Sequence, residues 1–226
     1  LNRAYFFISS YRFPYATNMP TLPEFLQHGT DGIGEQLRKF VWDFNHGDNI
    51  LYNFEVLLAL YEARLYSSKP PLLNKPITIT IVSIVEAILI DFLTRIDQAT
   101  THLPGNIGRT TLDEIKAEVE KAKRPQKIED DFGERIYMQR KMYQFKELVG
   151  IFERYSLFGK SGDDFYNKLR LFGDMRNRVH IENYHGNFER KEKRVFTPER
   201  VAALENILAL LWQKMTTDYK RPWGSV

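Results

Sequence analysis

The sequence predicts an all-α fold, an up-and-down helical bundle carrying an irregular, aromatic-rich N-terminal extension. Three observations lead there. From Asp48 onward apolar residues recur at helical spacing. The stretch NKPITITIVSIVEAILIDFLTRIDQ is apolar almost all round, as the central helix of a bundle must be. The breaks between periodic segments hold Pro, Gly and capping residues. On this reading residues 1–47 form the extension, packed on the main body, and residues 48–226 form one bundle domain.

The extension is punctuated by Pro14, Pro20, Pro23, Gly29, Gly32 and Gly34, and AYFFISSYRF fits a strand or a short helix equally. In the first bundle helix Phe54, Leu57, Leu58, Tyr61 and Leu65 make one stripe, with Asp48 or Asn49 as its cap. The central helix follows. Pro76 stands in its first turn, where a missing N–H does no harm, and Ile81, Val82, Ile84, Val85, Ile88, Leu89, Phe92 and Leu93 nearly encircle it. TTLDEIKAEVEKAK opens with Thr111 and Glu114 at capping-box spacing, buries Leu112, Ile115, Val119 and Ala122, and stops at Pro125. The spacing of Met138, Met142, Phe145, Val149 and Phe152 predicts a long helix from about Asp131 to Leu157. Gly159 and KSGDD break the chain, and Asp163 or Asp164 caps the next helix. A polar loop, turning at His185-Gly186-Asn187, separates it from a last helix opened by Thr197-Pro198, with Val201, Leu204, Leu208, Leu211 and Met215 on one face.

Bulk composition narrows the function classes. Sixteen Phe and an apolar fraction of 43% supply a sizeable core, and a formal charge of +3 permits an anionic partner without demanding one. The chain has no cysteine, which excludes disulfides and thiolate metal sites and is compatible with the cytoplasm. The most apolar stretch, Ile77 to Ile96, carries Glu86, Asp91 and Arg95, so it reads as a buried helix and not as a membrane span. The N-terminus lacks the basic, apolar, small-residue order of a signal peptide, and the chain starts at Leu1, leaving room for residues upstream. The five histidines are scattered and none pairs with a carboxylate at helical metal spacing, so neither metal nor cofactor is expected. GTDGIGEQ lacks the lysine and the preceding strand of a phosphate loop, and no G-x-S-x-G elbow occurs.

One segment breaks the pattern. In LRLFGDMRNRVHIENYHG, at roughly 100° per residue, Phe165, Leu169, Phe172 and Val179 fall within roughly 80° on a helical wheel, and Arg176 falls inside that arc. His180 stands one turn further on, while Arg178 points the opposite way. A guanidinium on an apolar stripe needs a structural ion pair or serves a ligand. The first is the ordinary reading. Glu86 and Asp91 of the central helix are candidate partners for a buried arginine, or simply acids at the rim of the stripe. Under the second, arginine holds a phosphate bidentately and histidine moves a proton near neutral pH, the minimum for breaking an RNA backbone by its own 2′-hydroxyl.

The segment LRLFGDMRNRVHIENY resembles the signature helix of the HEPN superfamily, in which an Arg, a polar residue and a following His mark the active site. ITITIVSIVEAILIDFLTRID looks like that superfamily's acidic-spotted central helix, and VFTPERVAALENILALLWQKM like its closing helix. The likeness spans roughly Asp48 to Tyr219, with MRNRVHI its specific part. It implies a bundle that forms a homodimer, with signature helices from two subunits facing one cleft. It also implies a metal-independent endoribonuclease of the toxin, anti-phage or CRISPR kind, with an antitoxin protein as partner in the toxin setting, or a relative that binds nucleotides without cutting. By position, Arg176 would stabilise the phosphate, Asn177 would orient it, and His180 would be general base or acid. Arg176 and His180 enclose three residues, fewer than the family usually has, so His185, which with Arg178 encloses six, stands as reserve base. Arg178, Lys191, Lys193 and Arg194 are the expected RNA contacts, although ERKEKR also reads as a solvated turn. KAKRPQK, Lys121 to Lys127, is a further basic run, remote in sequence from Arg176.

Overall fold

The computed structural model describes residues 26, 29–41, 44–98, 107, 109–122, 124–126, 140–142, 145–176 and 192–221, with Arg176 among a few described by backbone alone. Eight helices run through these residues: α1 (Gly29–Leu37), α2 (Phe44–Tyr66), α3 (Asn74–Gln98), α4 (Arg109–Ala122), α5 (Phe145–Arg154), α6 (Asp164–Arg176), α7 (Glu192–Val195) and α8 (Pro198–Thr217). A 3₁₀ turn, Pro70–Leu73, joins α2 to α3. Two three-residue strands, β1 (Arg124–Gln126) and β2 (Arg140–Met142), pair antiparallel with Arg124 opposite Met142. The architecture is an all-α bundle with this small ribbon at its side.

The central position of α3 follows from its sequence. Ile77, Ile81, Val82, Ile84, Val85, Ile88, Leu89, Phe92, Leu93 and Ile96 are all buried, and α2, α4, α5, α6 and α8 pack around them. By length and composition this helix is apolar enough to cross a membrane, yet 67% of its most apolar window is buried inside the protein, as befits a core helix. α8 starts as its residues dictate: Thr197 accepts from the Arg200 amide, Pro198 opens the helix, and Val201, Leu204, Leu208, Leu211 and Met215 face inward.

Aromatic contacts set the helix directions. Phe92, late in α3, lies 6.0 Å from Phe152, late in α5, and 4.5 Å from Tyr219, just after α8. At the other end Asn74, the first residue of α3, donates to the Phe196 carbonyl just before α8. So α3, α5 and α8 run one way, and α6, which turns back from α5, runs the other. Ile33, Leu37, Phe40 and Val41, in and after α1, belong to the same core.

Several local expectations are corrected. The long helix from Asp131 does not form: Arg140–Met142 is extended and hydrogen-bonded to β1, and the helix begins only at Phe145 and ends at Arg154. Met142 therefore belongs to a strand, while Met138 lies outside the described residues. α2 starts at Phe44, so Asp48 and Asn49 are inside it and cap nothing. α4 starts at Arg109, which puts Thr111 and Glu114 within the helix. Asp163 stands at the expected cap position just before α6, where its carbonyl accepts from the Tyr166 amide at 3.1 Å, while its Oδ2 accepts from the Lys160 amide at 2.8 Å.

Candidate functional site

The site must be sought where α6 ends. Its first turn is pinned by Tyr166, whose hydroxyl receives the Phe158 amide at 3.0 Å and lies 3.1 Å from the carbonyls of Phe152 and Gly159. Burial holds this phenol above its ordinary range. One turn on, Arg170 pairs with Glu153 of α5, which also accepts from the Gly162 amide at 3.0 Å. That arginine and that amide hold the Glu153 carboxyl below the usual carboxylate range. Further along, the α-carbon of Gly173 sits directly on the Phe145 ring, leaving no room for a side chain. α6 is thus held against α5 at three levels.

The buried residues of α6 are Tyr166, Leu169, Phe172, Gly173 and Met175. Phe165 is only half-buried, so the inward stripe is rotated slightly from the expected one. On a wheel of roughly 100° per residue these five span about half the circumference, and position 176 falls at the middle of that arc. The helix therefore ends with an arginine at a register position its neighbours use for the core.

The other predicted residues divide. Asn177, Arg178, His180, His185 and Lys191 lie outside the described residues. Lys193 and Arg194 are exposed on α7. That short helix is docked against the start of α3: Glu192 pairs with Lys75 at 2.7 Å, Lys75 stands 5.6 Å over the Phe196 ring, and Val195 and Phe196 are buried. Because α6 runs opposite to α3, its C-terminus points toward the end of the bundle where α7 sits. Residues 177–191 join the two. Of the run 121–127, Lys121 is exposed in the last turn of α4, and Arg124–Gln126 form β1.

The sequence reading missed the pairing of Arg95. Asp91 is indeed an acid beside a buried arginine, but that arginine is Arg95 on its own helix, 3.5 Å from Asp91 Oδ2, with both side chains 1% exposed. Arg95 Nη1 also donates to the Tyr219 carbonyl at 2.8 Å. Burial pushes its guanidinium down to about 10, while Asp91 draws it back up and Arg221 lowers it further. The signal was legible: Asp and Arg four apart on a helix that is apolar all round. Also unforeseen is Tyr61 of α2, whose hydroxyl donates to Glu205 of α8; burial and this carboxylate raise its pKa well above the ordinary phenol. Glu86 is half-buried. Comparison with family models, with curated proteins and with solved structures gives no match to this chain.

Proposed function

We propose that the protein is a metal-independent endoribonuclease of the HEPN type. The observation that supports this best is the register of Arg176. Leu169, Phe172 and Gly173 around it are buried, and a charge at such a position needs either a buried partner or an anion brought to it. Asp91, one of the two central-helix acids considered as its partner, is already engaged by Arg95. In the proposed reaction His180 takes the proton of an RNA 2′-hydroxyl, whose oxygen attacks the adjacent phosphorus. Arg176 stabilises the extra negative charge and Asn177 orients the phosphate. The protonated His180 then gives that proton to the departing 5′-oxygen, leaving a 2′,3′-cyclic phosphate and a 5′-hydroxyl. His185 is the reserve base, and Arg178, Lys191, Lys193 and Arg194 steer the backbone. Two subunits facing one cleft, in the cytoplasm and with an antitoxin protein where the role is a toxin, complete the proposal.

The test is cleavage of mixed RNA in EDTA by the wild-type chain and by Arg176→Ala and His180→Ala variants of unchanged circular dichroism. A loss of about 100-fold or more in each variant is expected. Equal cleavage by all three removes the assignment. The short Arg176–His180 spacing favours one second reading, a module that binds RNA, a nucleotide or a protein without cutting. It predicts RNA retention on a filter with no cyclic-phosphate ends.

A further inference from the structure

Beyond α8 the chain forms a strap. The Tyr219 ring packs 4.5 Å from Phe92 and 5.7 Å from Phe158, its hydroxyl donates to the Leu157 carbonyl, and its own carbonyl accepts from Arg95. Two residues on, the Arg221 amide donates to the Lys39 carbonyl at 2.6 Å and the Arg221 guanidinium donates to the Val41 carbonyl. Residues 219–221 therefore tie the deepest part of the bundle to the segment that follows α1.

That segment depends on being tied. α1 has nine residues, shorter than the roughly 12–15 at which an isolated helix becomes even marginal in water, so its helicity requires docking. The docking is made by side chains: Ile33, Leu37, Phe40 and Val41 go inward, Trp212 Nε1 donates to Gln36, and Phe40 meets Trp212 edge-on at 5.3 Å. Beneath lies an aromatic face made by Trp212 and Phe54, themselves 5.3 Å apart.

We propose that residues 219–221 are a latch holding residues 29–41 over the Phe54–Trp212 face, and that release of Arg221 lets this block open as a unit while the bundle stays folded. The latch has two stages. Tyr219 is buried among the rings of the core, whereas Arg221 is half-exposed and is the outer hook. A short block at the edge of the bundle, joined to the far end of the chain by a small number of polar ties, can open locally ahead of global unfolding once those ties are released.

Hydrogen–deuterium exchange read by mass spectrometry on the full chain tests this. In Arg221→Ala, amides of residues 33–41 are expected to exchange about tenfold faster or more, with the middles of α3 and α8 unchanged. A chain ending at Asp218 is expected to open the same block at least as far. Wild-type protection of residues 33–41 in either variant overturns the proposal, and so does equal acceleration throughout α3 and α8, which would make Arg221 a general stabiliser and no latch.

Discussion

At the scale of single residues, the buried Asp91–Arg95 pair shows how a charge survives in a core. Both groups leave water, and the cost is met by their attraction and by the Tyr219 carbonyl that Arg95 also binds. Burial lowers the guanidinium pKa although Asp91 raises it, so desolvation outweighs that attraction at Arg95. Removing one partner should hurt more than removing both. Asp91→Ala is expected to cost about 3–5 kcal/mol in urea denaturation, because it strands a buried cation. The double variant Asp91→Leu/Arg95→Met should lose less than either single change, about 1–3 kcal/mol, from the carbonyl left without its donor. A double variant worse than Asp91→Ala would show that the ion pair itself stabilises the fold.

Among elements, two glycines in helices separate packing from propensity. Gly173 of α6 lies against the Phe145 ring, and an added methyl must displace it. Gly173→Ala is expected to destabilise by about 1–3 kcal/mol despite the better helix former. Gly150, inside α5, has nothing within 4 Å of an added Cβ. Gly150→Ala is therefore expected to stabilise by about 0.5–1 kcal/mol, with opposite shifts of the urea midpoint deciding the pair. The ends of elements follow their own chemistry: Thr197→Ala removes the acceptor for the Arg200 amide and should cost about 1 kcal/mol. The elements also show where periodicity misleads. Met142 and Phe145 keep helical spacing with Val149 and Phe152, yet residues 140–142 pair with 124–126, since a backbone partner some sixteen residues away leaves no trace in the local pattern. The residues expected as caps, Asp48 and Thr111, lie inside helices that begin at Phe44 and Arg109, because a residue that favours a cap is also tolerated within a helix.

For the whole molecule, alkaline stability gathers the tyrosines that join its layers. Tyr61 links α2 to α8, Tyr166 pins the α5–α6 turn and Tyr219 anchors the strap, and burial raises all three, Tyr219 up to about 12. Unfolded tyrosine ionises near pH ~10. Above that the folded chain holds protons the unfolded chain has released, so stability present below pH ~10 falls as pH rises toward 12. Arg95 acts oppositely in this window, one group against three. Urea midpoints at pH 8, 10 and 11 should fall in that order, and Tyr219→Phe should flatten the fall; midpoints independent of pH would contradict the burial of these phenols.

The sequence alone determined the helical class, the bounds of the central helix, the inward face of α8, and, in Leu169 and Phe172, part of that of α6. It could do so because one-sided burial prints a period near 3.6 directly onto the chain. Only tertiary structure decided that Arg95 meets a carbonyl 124 residues away, that residues 140–142 are extended, and that the last described residues hold down the first. Those contacts join positions distant along the chain, and each half, read by itself, is an ordinary residue in an ordinary place.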